Sequence, residues 1–438
     1  MKVIRDGFGG ILWSSVLVLV AGVNAASGAE PVALETLSVD AVVAKAVRDN
    51  PSLAEMQTRY EALSEVPSQA GSLPDPIVNV GAANFPLDTF ARAQEPMTQL
   101  NLGVSQAFPF PGKLALREEA AEHDAKAAEH SVDEARLQLV RKVKNKWWQL
   151  YYVDRALETV KQNQTLLEQF IEVAKTKYET GKGLQQDVLL AQLELSKLLD
   201  REIQLDGIRR QQAIQLNILM DDTPEASVTL PTEVERALPV LVSERALYEQ
   251  ANGARPLLRQ LETNIAAAQA RLDLAKREYY PDFTVGMTYG NRTGMNPMPR
   301  ADGRADFISV MVGVKVPFYA GRKQSRAVVQ RGLDVQTGRY ALQDERALVR
   351  GAIATAVTDY ERAKQQLLLF EKGIVPQAEQ TVKSMLAGYQ VSEVDFLNLV
   401  RSQITLFNYQ LQYWEALSEA KQALAQLEAA VGEGKIYE

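Results

Sequence analysis

Between Gly112 and Gly181 the chain contains neither proline nor glycine. Alanine, glutamate, lysine, leucine and glutamine dominate this run, and all are good helix formers. As one helix, its roughly 67 residues would be about 100 Å long, far longer than a compact domain can bury. A second such run follows "YAGRK" (319–323), interrupted by Gly332, Gly338, Gly351, Gly373 and Pro376. Helices of this length read as a coiled coil or a tube of helices.

Four short segments break the helical pattern. In "YYPDFTVGMTYG" (279–290), Phe283, Val285, Met287 and Tyr289 alternate with Thr284, Gly286, Thr288 and Gly290, the period of a strand with unlike faces. "MTQLNLGVSQAF" (97–108) sets Leu100, Leu102, Val104 and Phe108 against Gln99, Asn101, Gly103 and Ser105. "FISVMVGVKVPF" (307–318) sets Ile308, Val310, Val312, Val314 and Val316 against Ser309, Gly313 and Lys315. "PDPIVNVGAANF" (74–85) follows the same pattern more weakly. Each is long enough for a tilted strand to cross a bilayer, with aromatics such as Phe108, Phe110, Tyr279, Tyr280, Phe307 and Phe318 at the ends. The strands pair as hairpins, 76–85 with 97–107 and 282–290 with 307–317, through polar loops rich in Pro and Gly. Four strands cannot close a barrel. An open edge in lipid leaves backbone N–H and C=O groups unsatisfied, so membrane strands here require several copies of the chain.

The N-terminus sets the compartment. Lys2 and Arg5 precede the apolar stretch 11–23, and Val23 and Ala25 fit a small-residue cleavage site, so residues 1–25 read as a signal peptide. The protein is expected to be exported. It has no cysteine, which excludes disulfides, thiol chemistry and a lipid anchor on Cys. Its net charge of −7 argues against nucleic acid as a partner.

The exported part, 26–438, is duplicated. "LPDP" (73–76) matches "YPDF" (280–283), "AFPFPGKL" (107–114) matches "KVPFYAGRK" (315–323), and "KYETGKGLQQDVLLAQLELSKL" (177–198) matches "GYQVSEVDFLNLVRSQITLF" (388–407). One unit runs 38–220 and a second 243–432, joined by 221–242. Each reads helix, hairpin, long helix, turn, helix.

These residues resemble the TolC family of outer-membrane efflux proteins. The resemblance covers essentially the whole exported chain and rests on the duplicated unit, the "FPFPGK" and "PFYAGRK" corners, and the turns "YETGKGLQQDVL" and "YQVSEVDFL". It implies a mainly α protein with a transmembrane β part: an α-helical periplasmic tunnel and, as a homotrimer, a twelve-stranded β-barrel in outer-membrane lipid. It implies a passive exit duct docked to a periplasmic membrane-fusion adaptor and an inner-membrane pump of the resistance-nodulation-division type. The corners and the first turn look closest to heavy-metal efflux components. The helical turns would form the narrow periplasmic end, with Tyr178, Gly181 and Asp187 matching the first and Tyr389 and Asp395 the second. Three departures stand out. The second turn is three residues shorter between Tyr and Asp, and Ser392 replaces the usual Gly, while Asn398 stands where some members carry an acid.

Enzyme chemistry finds no support. His123 and His130 lie two turns apart on one helix without further ligands, and no cofactor or metal is expected. "GKG" (181–183) lacks phosphate-loop spacing. Trp147 and Trp148 are expected to pack between helices. Asp187 and Asp395, each beside a turn, suit helix N-caps as well as a ring of carboxylates. Besides an efflux duct, a polypeptide-secretion channel and a non-conducting coiled-coil scaffold remain open at this point.

Overall fold

The structure, a computed structural model, describes residues 36–296, 298–300, 302–432 and 436–437. The segment read as a signal peptide lies outside them. Three short helices come first: α1 (Val39–Asp49), α2 (Pro51–Ser64) and α3 (Val66–Gly71). The Ser38 side chain caps α1 and that of Asn50 caps α2, with Pro51 in the first turn, where its missing N–H costs nothing. The hairpin β1 (Ile77–Ala83) and β2 (Gln99–Phe108) follows, then α4 (Lys113–Glu179) and α5 (Gln185–Leu219). The second unit repeats this order with α6 (Glu244–Ala254), α7 (Pro256–Arg277), β3 (Asp282–Arg292), β4 (Phe307–Lys315), α8 (Gln324–Leu369), α9 (Val375–Gln390) and α10 (Phe396–Val431).

α4 is a single helix of 67 residues, as its composition demands. Its counterpart is not broken by its glycines. α8 runs through Gly332, Gly338 and Gly351 without a stop, and a π-helical turn (Phe370–Ile374) joins it to α9. There the Val375 amide donates to Phe370, five residues back. Pro376, in the first turn of α9, has no N–H for the carbonyl four residues before it, and a widened turn absorbs that mismatch.

The two hairpins form one antiparallel sheet in the order β1-β2-β3-β4. The new contact is between units, where Val104 lies opposite Met287 and Leu102 opposite Tyr289. Register therefore gathers Val80, Leu102, Tyr289 and Ile308 on one face, and Gly81, Asn101, Gly290 and Phe307 on the other. The apolar face is exposed along its length: Val80, Leu102, Met287, Val310 and Val312 all lie open. At the far end the two hairpin loops are clasped together. Arg304 donates to the carbonyls of Ala93 (3.1 Å), Glu95 (2.9 Å) and Thr293 (3.1 Å).

Where the sheet meets the helices, Lys113 opens α4. It is 1% exposed and donates to Asp282 (2.8 Å), the Tyr280 carbonyl (2.9 Å) and Glu278 (3.3 Å). Below, α4 packs against α5, α7 and α10. The segment 221–242 crosses the helices as a belt. Tyr360 and Lys421 donate to its carbonyls, at Pro239 and Ala237. Trp147 and Trp148 pack edge to face in the core beneath, and the Trp147 indole donates to the Leu37 carbonyl at 2.9 Å.

The face assignment is testable. Val312, opposite Val285 on the apolar face, is expected to tolerate arginine poorly in a bilayer, Val312→Arg costing about 2–4 kcal/mol near mid-depth. Ser309, opposite Thr288 on the other face, is expected to accept arginine with little loss. Folding titrations into lipid vesicles measure both. Equal losses would count against the assigned faces.

Candidate functional site: the helical turns

The candidate site residues gather at the end of the helices away from the sheet. α4 ends at Thr180, and Gly181 follows at φ +72°. The Gly181 amide donates to the Tyr178 carbonyl (3.0 Å) and the Lys182 amide to that of Lys177 (2.8 Å), a Schellman ending. α9 ends the same way. Ser392 takes φ +65°, its amide donates to Tyr389 (3.1 Å), and the Glu393 amide donates to Gly388 (2.9 Å). Ser392 thus adopts the left-handed conformation that glycine supplies in the first turn, although a β-carbon makes it costly.

After each left-handed residue the N-cap position of the next helix falls three residues on, at Leu184 and at Asp395. The two turns are therefore equal in length, and the three-residue difference in Tyr-to-Asp spacing arises because the two aspartates occupy different positions after the bend. Asp187 corresponds in position to Asn398, and Asp395 to Leu184. The two aspartates also differ in role. Asp395 Oδ1 accepts from the Asn398 amide (2.8 Å) and Oδ2 from its side chain (3.1 Å), so it is a true N-cap. Asp187 does not cap. It sits inside the first turn of α5, whose start has no side-chain cap.

The tyrosines diverge as well. Tyr178 is 48% exposed, whereas Tyr389 is buried against Phe396, ring centres 5.1 Å apart. The Tyr389 hydroxyl donates to Asp187 at 3.5 Å. Lys177 lies over the Tyr389 ring at 4.4 Å and donates to the Tyr389 carbonyl and to Ser392 Oγ (3.0 Å). Lys177 thus ties the first hairpin to the second, a role the sequence reading missed. Its only local signal is a cation in the last turn of a helix, where it also answers the helix dipole. Between the hairpins lies a cleft of about 510 Å³ lined by Lys177, Gly181, Asp187, Tyr389, Ser392 and Asp395 among others.

Burial lifts the Asp187 carboxyl above its usual range, and Asp395 adds to the rise; the Leu184 amide, Tyr389 and Lys177 pull the other way. Burial, reinforced by Asp187, pushes the Tyr389 hydroxyl up to about 12. The arrangement can hold two hairpins together and present carboxylates to solvent. Among the described residues no group of three or more His, Cys, Asp or Glu side chains could hold a metal ion.

The raised Asp187 value fixes a sign. A carboxyl whose folded-state value lies above its unfolded one contributes stability that is fully present below the unfolded value and lost as pH rises through the folded one. Amides of the tip are therefore expected to be better protected from hydrogen exchange in mild acid than at neutral pH, after correction for intrinsic rates. Asp187→Asn should flatten that dependence. An unchanged profile in the variant would place the titrating group elsewhere.

Comparison with known proteins completes the description. The family profile for outer membrane efflux proteins matches residues 42–220 and 247–433. Among solved structures the chain is similar to the outer membrane protein VceC of Vibrio cholerae, at 19% identity and TM-score 0.75 over 90% of this chain and 96% of that one. It is similar to the CmeC outer membrane channel of Campylobacter jejuni, at 13% identity and TM-score 0.76 over 94% and 91%. It is also similar to CusC, described in terms of folding and transmembrane channel formation, at 14% identity and TM-score 0.76 over 90% and 92%. No curated protein matches the chain.

Proposed function

From the premise that this chain belongs to the outer membrane efflux protein family, we propose that it works as a trimeric exit duct for cations. Membership makes it an outer-membrane channel of the efflux class and not an enzyme. The observation that carries the trimer is the sheet. It exposes an apolar face suited to lipid, and β1 and β4 leave one edge each unpaired. Lipid offers those edges no hydrogen bonds, so neighbouring copies must supply them. Three four-stranded sheets make a closed barrel of ordinary bacterial size. The long helices then line a passage on the periplasmic side, with the turns at its far end.

A periplasmic membrane-fusion adaptor and an inner-membrane pump of the resistance-nodulation-division type would dock at those turns and deliver the cargo. Heavy-metal cations suit the carboxylates there. Asp395 is exposed and faces the cleft, and three copies around an axis form a ring that favours cations over anions. Tyr178, Gly181 and Lys182 present an exposed, polar edge on the first hairpin for the adaptor.

Two variants separate charge from capping at Asp395. Asparagine caps a helix about as well as aspartate, so Asp395→Asn is expected to keep α10 intact while reducing cation preference. Asp395→Ala is expected to lose both, with about 0.5–2 kcal/mol less local helix stability. Reversal potentials in a salt gradient across planar bilayers read the selectivity. Wild-type selectivity in Asp395→Asn would mean that the carboxylate only caps its helix.

A further inference from the structure

Two polar residues occupy core positions where α4 packs against α10. On α10 the buried stripe runs Phe396, Leu399, Val400, Gln403 and Leu406, the spacing of one helix face. On α4 it runs Val160, Asn163, Leu167 and Phe170. Asn163 and Gln403 are 2% and 3% exposed, as deeply buried as the leucines beside them. A polar residue at a core position can fix the register of packed helices, and these two amides bond to each other. Asn163 Nδ2 donates to the Thr159 carbonyl one turn back (2.8 Å), so its Oδ1 faces Gln403 and accepts from Nε2 at 2.5 Å. That bond settles which way the Gln403 amide points. Its Oε1 is left buried without a donor. A buried acceptor in that state is destabilising, and register needs only the bond already made.

Asn163 and Gln403 line a cavity of about 320 Å³, the size of a small-molecule site. Helices of both units build it. α4 and α10 bring the two amides, α5 closes the third side with Leu198, and Ile404 and Phe407 complete an apolar wall. At the rim Glu194 pairs with Lys197 at 2.6 Å, whereas Arg201 bonds only to Gln204, at 3.5 Å, among the described residues. Two bases against one acid disfavour a cationic guest. A lone water answers Oε1 poorly, because a buried water needs about two to four polar partners and this wall is apolar. A guest with an apolar body and one donor meets both surfaces.

We propose that this cavity binds a neutral, mostly apolar molecule carrying one hydroxyl or N–H donor, of which a phenol is the simplest. The donor bonds to Gln403 Oε1, and the apolar body lies against Leu198, Ile404 and Phe407. Because α5 and α10 both rest on α4, a bound guest ties a helix of the first unit to a helix of the second. The site goes beyond the duct proposed above and stands independently of its cargo and its pump.

The probes are para-cresol and its methyl ether, which keeps the apolar body and lacks the donor. Calorimetric titration of the whole protein in detergent, with empty micelles subtracted, reads saturable binding. Para-cresol is expected to saturate one site per chain and to bind about ten-fold more tightly than the ether, or better. Gln403→Met removes the acceptor at similar length and is expected to abolish that preference while leaving ether affinity within about two-fold. Leu198→Trp fills the cavity from α5 and is expected to remove saturable binding of both probes. Mass in detergent and the thermal midpoint report the assembly of each variant. Should Gln403→Met fail to assemble, the wild-type preference and Leu198→Trp decide. The proposal is overturned by equal binding of the two probes to the wild type, by a preference that persists in Gln403→Met, by binding retained in assembled Leu198→Trp, or by no saturable binding at all.

Discussion

One buried ammonium joins the sheet to the helices. Lys113 sits at the first residue of α4, almost wholly removed from water, and spends its charge on Asp282, Glu278 and the Tyr280 carbonyl. A buried charge is tolerable only when it is paired and hydrogen-bonded. The Asp282 carboxylate serves twice, since it also accepts from the Phe110 amide at 3.0 Å. The direction in which α4 leaves β2 and the direction in which β3 leaves α7 are thereby set against each other. Gly112, at φ +85°, makes the corner possible, because that left-handed backbone strains any residue that carries a β-carbon. With that corner fixed, the long helices have one direction to follow.

Much of this was legible in the sequence, for reasons that are local. Alternation of Phe283, Val285, Met287 and Tyr289 is a property of the strand itself, and the strands lie where it places them. The helix from Lys113 to Glu179 follows from the lack of Pro and Gly. What escaped notice was nonlocal, or local but unusual. Nothing in β2 or β3 alone says that they pair across the repeat. Glycines at 332, 338 and 351 look like helix breaks, yet each costs only about 1 kcal/mol relative to alanine. Packing of residues such as Leu342, Ile353 and Tyr360 outweighs that cost.

The turns show how a good local rule misleads. Aligning Asp187 with Asp395 pairs two residues of the same type near two similar bends. The backbone aligns Gly181 with Ser392 instead, and the aspartates fall three positions apart. The first hairpin has glycine at the bend, and its next helix lacks a side-chain cap. The second has serine at the bend, and its next helix is capped by Asp395. Lys177 bridges the two, bonding to the carbonyl and ring of Tyr389 and to the serine that stands where the first hairpin has glycine.

The π-helical turn at Phe370–Ile374 has its own consequence. α4 and the combined arm from Gln324 to Gln390 are equal in length, but only the second contains the extra residue that a π turn holds. Beyond it, every side chain is displaced by about 100° around the axis relative to an unbroken helix. The two arms of the chain therefore cannot keep one correspondence of side-chain faces along their whole length: like faces can be matched on one side of the π turn only.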